Sequence, residues 1–133
     1  MRVFFDTNVL VSAFLARGLC ADLLRLVLTE HTLVTSEVVL EELRDVLSRK
    51  GRLPPQQIGA IDAFLRDQPL ASRPARTLQL GLGDGDDEWV LASAVLAEAD
   101  LFVTGDQGVL ACHQPPLPIV TPRGCWEQLR GGG

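Results

Sequence analysis

Apolar residues in this chain fall into two spacings that alternate along it. Val3-Phe4-Phe5, Leu33-Val34 and Leu101-Phe102-Val103 are short unbroken runs, the mark of strands buried on both faces in a parallel sheet. Between them apolar positions recur with helical spacing: Leu23, Leu24, Leu26, Val27 and Leu28; Val39, Leu40, Leu43, Val46 and Leu47; Ile58, Ile61, Phe64 and Leu65; Val90, Leu91 and Ala94. The pattern predicts a strand over 2–6, helices over 8–16 and 20–29 separated at Gly18, and a strand over 31–35. Ser36 then caps a helix to about Arg49, which Gly51 ends. Pro54-Pro55 opens another helix to about Asp67. Residues 68–83, rich in Pro, Arg and Gly, are the least regular stretch, with a short strand near Leu70 or Leu78. A helix from Asp84–Asp87 to Glu98 follows, then a strand over 101–104, a short helix over 107–111, a strand over 118–121 and a helix holding Trp126 and Leu129. Alternating strands and helices define an α/β class with a mainly parallel sheet, in one domain over residues 1–130. The glycines at 131–133 are expected to fray.

In such a sheet, ligands bind at the carboxyl ends of strands. Asp6 closes the first strand and Asp106, after Thr104-Gly105, closes the strand over 101–104. Helix phase singles out two further acids. Among Glu37, Glu41, Glu42 and Asp45, Glu41 and Asp45 point away from the apolar stripe, whereas Glu42 lies on its edge, roughly 60° from Val39. In Asp84-Gly85-Asp86-Asp87-Glu88, acids at a helix start account for Asp84, Asp86 and Glu88. Asp87, however, continues the buried stripe of Val90, Leu91 and Ala94 at i, i+3, i+4 and i+7. Capping competes with a site role at Asp6, and a Gly-Asp turn competes at Asp106. Four acids brought together repel one another and lose solvation, and a divalent cation with oxygen ligands, Mg²⁺ or Mn²⁺, is the simplest remedy. That chemistry suits hydrolysis of a phosphodiester.

Composition narrows the field. A chain of 133 residues, 47% apolar, is globular and large enough for a core. No apolar stretch approaches the ~20 residues of a membrane span, and Met1-Arg2 leads into no signal-peptide core, so a cytoplasmic location with no membrane role is expected. Cys20, Cys112 and Cys125 show no C-x-x-C spacing, and Cys112-His113 matches no zinc motif. The net charge of −5 argues against grip by bulk electrostatics. Yet Arg44, Arg49, Lys50 and Arg52 cluster, and they are candidates for contact with a nucleic-acid backbone, against the plainer role of a solvated helix end. Gly81-x-Gly83-x-Gly85 is no dinucleotide fingerprint, since Asp86 stands where glycine is needed and three acids would repel a pyrophosphate.

Taken together, Val3-Phe4-Phe5-Asp6-Thr7-Asn8-Val9-Leu10, Ser36 to Leu43 with Glu42, Asp84-x-x-Asp87 with Val90-Leu91-Ala92, and Val103-Thr104-Gly105-Asp106 resemble the PIN-domain ribonuclease family, over about residues 2–129. The likeness is to the branch formed by the toxin components of bacterial toxin–antitoxin pairs. It implies a three-layer α/β/α sandwich and Mg²⁺- or Mn²⁺-dependent cleavage of RNA. Carried over by position, Asp6, Glu42, Asp87 and Asp106 form the acidic quartet, with Asp6, Asp87 and Asp106 as metal ligands. Asn8 and Thr104 are supporting polar residues, and Asp84 is an extra ligand or a neighbouring acid. The adjacent acid at Asp86 leaves the register open by one residue, and helix phase favours Asp87. A cognate antitoxin protein and homodimerisation follow as expectations. Alternatives are a structure-specific DNA nuclease with the same chemistry, a non-catalytic interaction module of the same fold, and a phosphohydrolase acting on small esters.

Overall fold

The structure, a computed structural model, describes residues 1–131. Along the chain run β1 (Arg2–Phe5), α1 (Thr7–Leu15), α2 (Leu19–Glu30), β2 (Thr32–Ser36), α3 (Glu37–Arg49), α4 (Pro55–Arg66), β3 (Leu70–Ala71), α5 (Gly85–Leu96), β4 (Leu101–Val103), α6 (Gln107–Leu110), β5 (Ile119–Val120) and α7 (Pro122–Gly131). Local chemistry sets several boundaries. The Ser36 hydroxyl accepts from the Val39 N–H at 3.2 Å, satisfying one orphan donor of α3. Pro55 fills the first position of α4, where its missing N–H costs nothing. At the other end of α3, a Cβ on Gly51 would lie 3.0 Å from the Leu47 carbonyl and 3.1 Å from Leu15 Cδ1. Glycine therefore lets the ends of α3 and α1 meet.

The five strands form one sheet in the order β3-β2-β1-β4-β5, parallel throughout. From β1 the chain moves outward through β2 to β3, then crosses back to β4 on the far side of β1 and on to β5. The strand order reverses between β1 and β4, which makes that boundary the switch point of the sheet. Helices flank the sheet to give the α/β/α sandwich: α1 packs on α2 and α3, α3 on α4, and α2 on α7, while α5 lies against β2 and β3. Pairing of Val3 with Leu33 and Leu101, and of Phe4 with Val34 and Phe102, stacks alike side chains across the middle of the sheet. The rings of Phe4 and Phe102 lie 5.5 Å apart. Phe4, Phe5 and Phe102 are each at most 1% exposed, and burying each contributes about 2–3 kcal/mol. The segments leaving β1 and β4 thus start from buried strand ends, at Phe5 and Val103.

The elements match the predicted order, with differences that packing explains. The edge strand lies at Leu70, not Leu78, because Leu70 and Ala71 pair with Thr35 and Ser36 of β2. Phe64, predicted as part of the buried stripe of α4, is 40% exposed and meets Phe14 edge-on, while Ile58 and Leu65 take the interior. Gly131, expected to fray, closes α7, and 132–133 lie outside the described residues. Cys125 is buried and Cys20 and Cys112 half-buried, all as free thiols. No described helix is long and apolar enough to cross a membrane.

Candidate functional site

At the switch point the chain leaves β1 at Asp6 and β4 at Thr104, and the two ends are stitched together. Asp6 is 5% exposed. Its Oδ1 accepts from the Thr7 N–H at 2.8 Å, and its Oδ2 from the Thr104 hydroxyl at 2.7 Å and the Asn8 amide at 3.1 Å. The capping role and the site role thus fall on one carboxylate. Asn8 also bridges to the second strand end: its Oδ1 accepts from the Gly105 N–H at 3.0 Å. A Cβ on Gly105 would come within 3.3 Å of that oxygen, so glycine keeps the bridge short. Thr104 Oγ1 in turn accepts from the Asp106 N–H at 3.0 Å. Asp106 turns its Oδ1 back onto the N–H groups of Gly108 and Val109, at 2.8 and 3.2 Å, leaving Oδ2 for the cleft.

Two helices bring the other acids. Glu42 of α3 is half-buried, and its Oε1 accepts from the Thr7 hydroxyl at 2.6 Å. Asp87, in the first turn of α5, has no hydrogen-bond partner for its carboxylate among the described residues. Asp6, Glu42, Asp87 and Asp106 line one cleft of about 460 Å³, together with Thr7, Asn8, Val11, Ser12, Val46 and Lys50. Asp84 stays outside it as the exposed cap of α5, accepting from the Asp86 N–H at 2.9 Å. Asp86 is exposed and faces a neighbouring hollow with Glu41, Arg73 and Trp89. Of the adjacent pair, Asp87 lines the cleft and Asp86 the neighbouring hollow, and Glu42 borders both.

Crowding leaves its mark on the acids. Burial, and then the charges of Asp106, Asp6, Asp84 and Glu42, push Asp87 up to about 7. Burial also raises Asp6, with Asp106 adding to it, while hydrogen bonds from Thr104, Thr7 and Asn8 pull the other way. Glu42 is raised by burial above all, against the bond from Thr7. The four acids facing the cleft offer carboxylate oxygens, the ligands a hard divalent cation prefers. Among the described residues no three Asp, Glu, His or Cys side chains stand ready to share one ion. Asp6, Asp87 and Asp106 would therefore hold one ion only by drawing closer together or through its retained water.

The basic cluster divides. Arg44 pairs with Asp62 of α4 at 2.9 Å and Arg49 with Asp45 one turn back, both arginines on the exposed surface. Arg52 is exposed, with φ of 53°. Lys50 lines the cleft. Thr7 is the residue that sequence reasoning passed over. The signal was its place between two singled-out residues, Asp6 and Asn8, but its link to Glu42 spans 35 positions and depends on how α1 packs on α3.

The PIN domain model matches residues 2–108. The chain belongs to the PIN-domain family, a family of nucleases. Among solved structures it is similar to that of VapBC2 from Rickettsia felis bound to a DNA fragment from their promoter, with a TM-score of 0.66 at 20% identity over 91% of this chain and 98% of the other. At that identity the likeness speaks for the fold. No curated protein matches the chain in sequence.

Proposed function

We propose that this protein is a metal-dependent endoribonuclease whose catalytic unit spans residues 1–130. The observation that carries the reading is the convergence of Asp6, Glu42, Asp87 and Asp106, from four separate elements, on one cleft at the switch point. Asp6, Asp87 and Asp106 would hold Mg²⁺ or Mn²⁺. When bound, the ion acidifies water and offsets charge on the phosphate oxygens. The chain's own residues do the rest. Thr104 and Asn8 fix the outer oxygen of Asp6, and Thr7 occupies Oε1 of Glu42 so that Oε2 is left to orient the attacking water and take its proton. Water adds to phosphorus as the bond to the leaving ribose oxygen breaks. No side-chain nucleophile is needed.

The likeness to a VapBC2 complex supports the further reading that the chain is the toxin of a toxin–antitoxin pair in the cytoplasm. Its antitoxin would neutralise the cleft with a basic side chain or cover its mouth. Homodimerisation is carried over from the family resemblance, and sedimentation tests it. The deciding experiment for the activity is Mn²⁺-dependent cleavage of labelled single-stranded and hairpin RNA, with EDTA and Asp87→Asn as controls. Cleavage lost with both controls supports the reading. Intact RNA, with no Mn²⁺ binding by calorimetry, overturns it in favour of an interaction module.

A further inference from the structure

The cleft is longer than the carboxylate cluster. Beyond Glu42 it continues between α1 and α3, walled by Val11 and Ser12 on one side and by Val46 and Lys50 on the other. Glu42, Val46 and Lys50 follow one another at i, i+4 and i+8, each turned only roughly 40° from the last, so they form one line along α3. Eight residues of helix span roughly 12 Å. Lys50 therefore stands roughly 12 Å along the α3 axis from Glu42, at the end of the groove beyond Val46. It is the one basic side chain lining the cleft, it is exposed, and no ion pair engages it among the described residues. Its basic neighbours Arg44 and Arg49 are held by Asp62 and Asp45. The end of the groove is fixed in place, because Gly51 lets α3 close onto Leu15.

A groove with an acidic end, an apolar floor and a single free cation at the other end suits an extended polyanion. The acidic end repels phosphate unless a cation intervenes, whereas Lys50 attracts it outright. We propose that the groove between α1 and α3 is a track for single-stranded RNA, in which Lys50 holds a phosphate flanking the scissile one while Val11 and Val46 pack against the intervening sugar or base. The inference rests on the nuclease reading and extends it: Lys50 positions the strand and touches no reacting atom. Because the track leaves the carboxylates in one direction only, the flanking phosphate lies on one side of the cut.

The test compares wild type, Lys50→Gln and Lys50→Arg on single-stranded RNAs extended stepwise on either side of one cleavage site, in Mn²⁺. Anisotropy titrations of the same labelled RNAs with Ca²⁺ replacing Mn²⁺ give binding apart from turnover. Lys50→Gln is expected to raise KM about fivefold with kcat nearly unchanged, and to lower the salt slope of binding by about 0.7, one phosphate contact on a single strand. Lys50→Arg should keep both values. The effect should appear only on RNAs extended on one side and vanish on the shortest substrates. An equal melting temperature for all three proteins excludes a folding cause. Cleavage by wild type with no change in KM or salt slope in Lys50→Gln overturns the track and leaves the groove to a protein segment. Neither cleavage nor binding by wild type overturns the track and the nuclease reading together.

Discussion

The two halves of the carboxylate cleft are held in different ways. The strand half, Asp6 and Asp106, is fastened by neutral donors: backbone N–H groups, the Thr104 hydroxyl and the Asn8 amide. The helix half is looser. Glu42 leans on one hydroxyl, and Asp87 on none among the described residues. Hydrogen bonds to a carboxylate favour its ionised form, and without them burial, and after it the neighbouring charges, push Asp87 up to about 7. The strand half is therefore prepared by the fold itself, while the helix half stores repulsion that a cation or a proton must relieve.

Substitutions can break that contrast. The largest effect is expected at Asp6→Asn. An amide there sets N–H groups against the donors of Thr7, Thr104 or Asn8, so catalysis should fall below detection and unfolding in urea should show a loss of about 2–3 kcal/mol. Asp87→Asn should also remove activity, by at least about a hundredfold, since losing a metal-facing charge costs several kcal/mol in the transition state. Its stability should move the opposite way: the metal-free variant is expected to melt higher than wild type at pH 8 and equally at pH 4. A lower melting temperature at pH 8 would refute the stored-repulsion account.

The pH dependence follows with its sign. Asp87, Asp6 and Glu42 all have folded-state values above the ordinary ones, so the folded form binds protons more tightly than the unfolded chain. Metal-free stability should be greatest near pH 4 on this account and fall as pH rises to about 7, where Asp87 loses its proton. Urea midpoints across that window should show the fall, and millimolar Mn²⁺ should flatten it. Thr104→Val removes a donor from Asp6 and should cost about 1–2 kcal/mol with a matching loss of activity. Thr7→Val, which frees Glu42, should lower turnover roughly tenfold and leave stability nearly intact.

What the sequence made legible follows the same division. Asp6 and Asp106 could be read because each closes an apolar run, and a parallel sheet puts strand ends together whatever the chain does between them. Glu42 and Asp87 could be read from helix phase alone. What escaped depends on contacts between elements. Thr7 bonds Glu42 only because α1 packs on α3. The four basic residues near α3 look alike in sequence, yet Asp45 and Asp62 hold two of them and Lys50 alone lines the cleft. Phe64 fits a buried stripe but sits at its rim, 40% exposed against Phe14 of α1.

The bond from Thr104 to Asp6 joins positions 98 residues apart. Contacts so distant in sequence are expensive to close early, and β4 can pair with β1 only once the chain through residue 103 has been made. During synthesis a ribosome making this protein thus carries an incomplete and inert cleft until the segment around Asp106 has emerged. The order of strands acts as a safety catch, keeping the carboxylate cleft unassembled while the growing chain is still tethered.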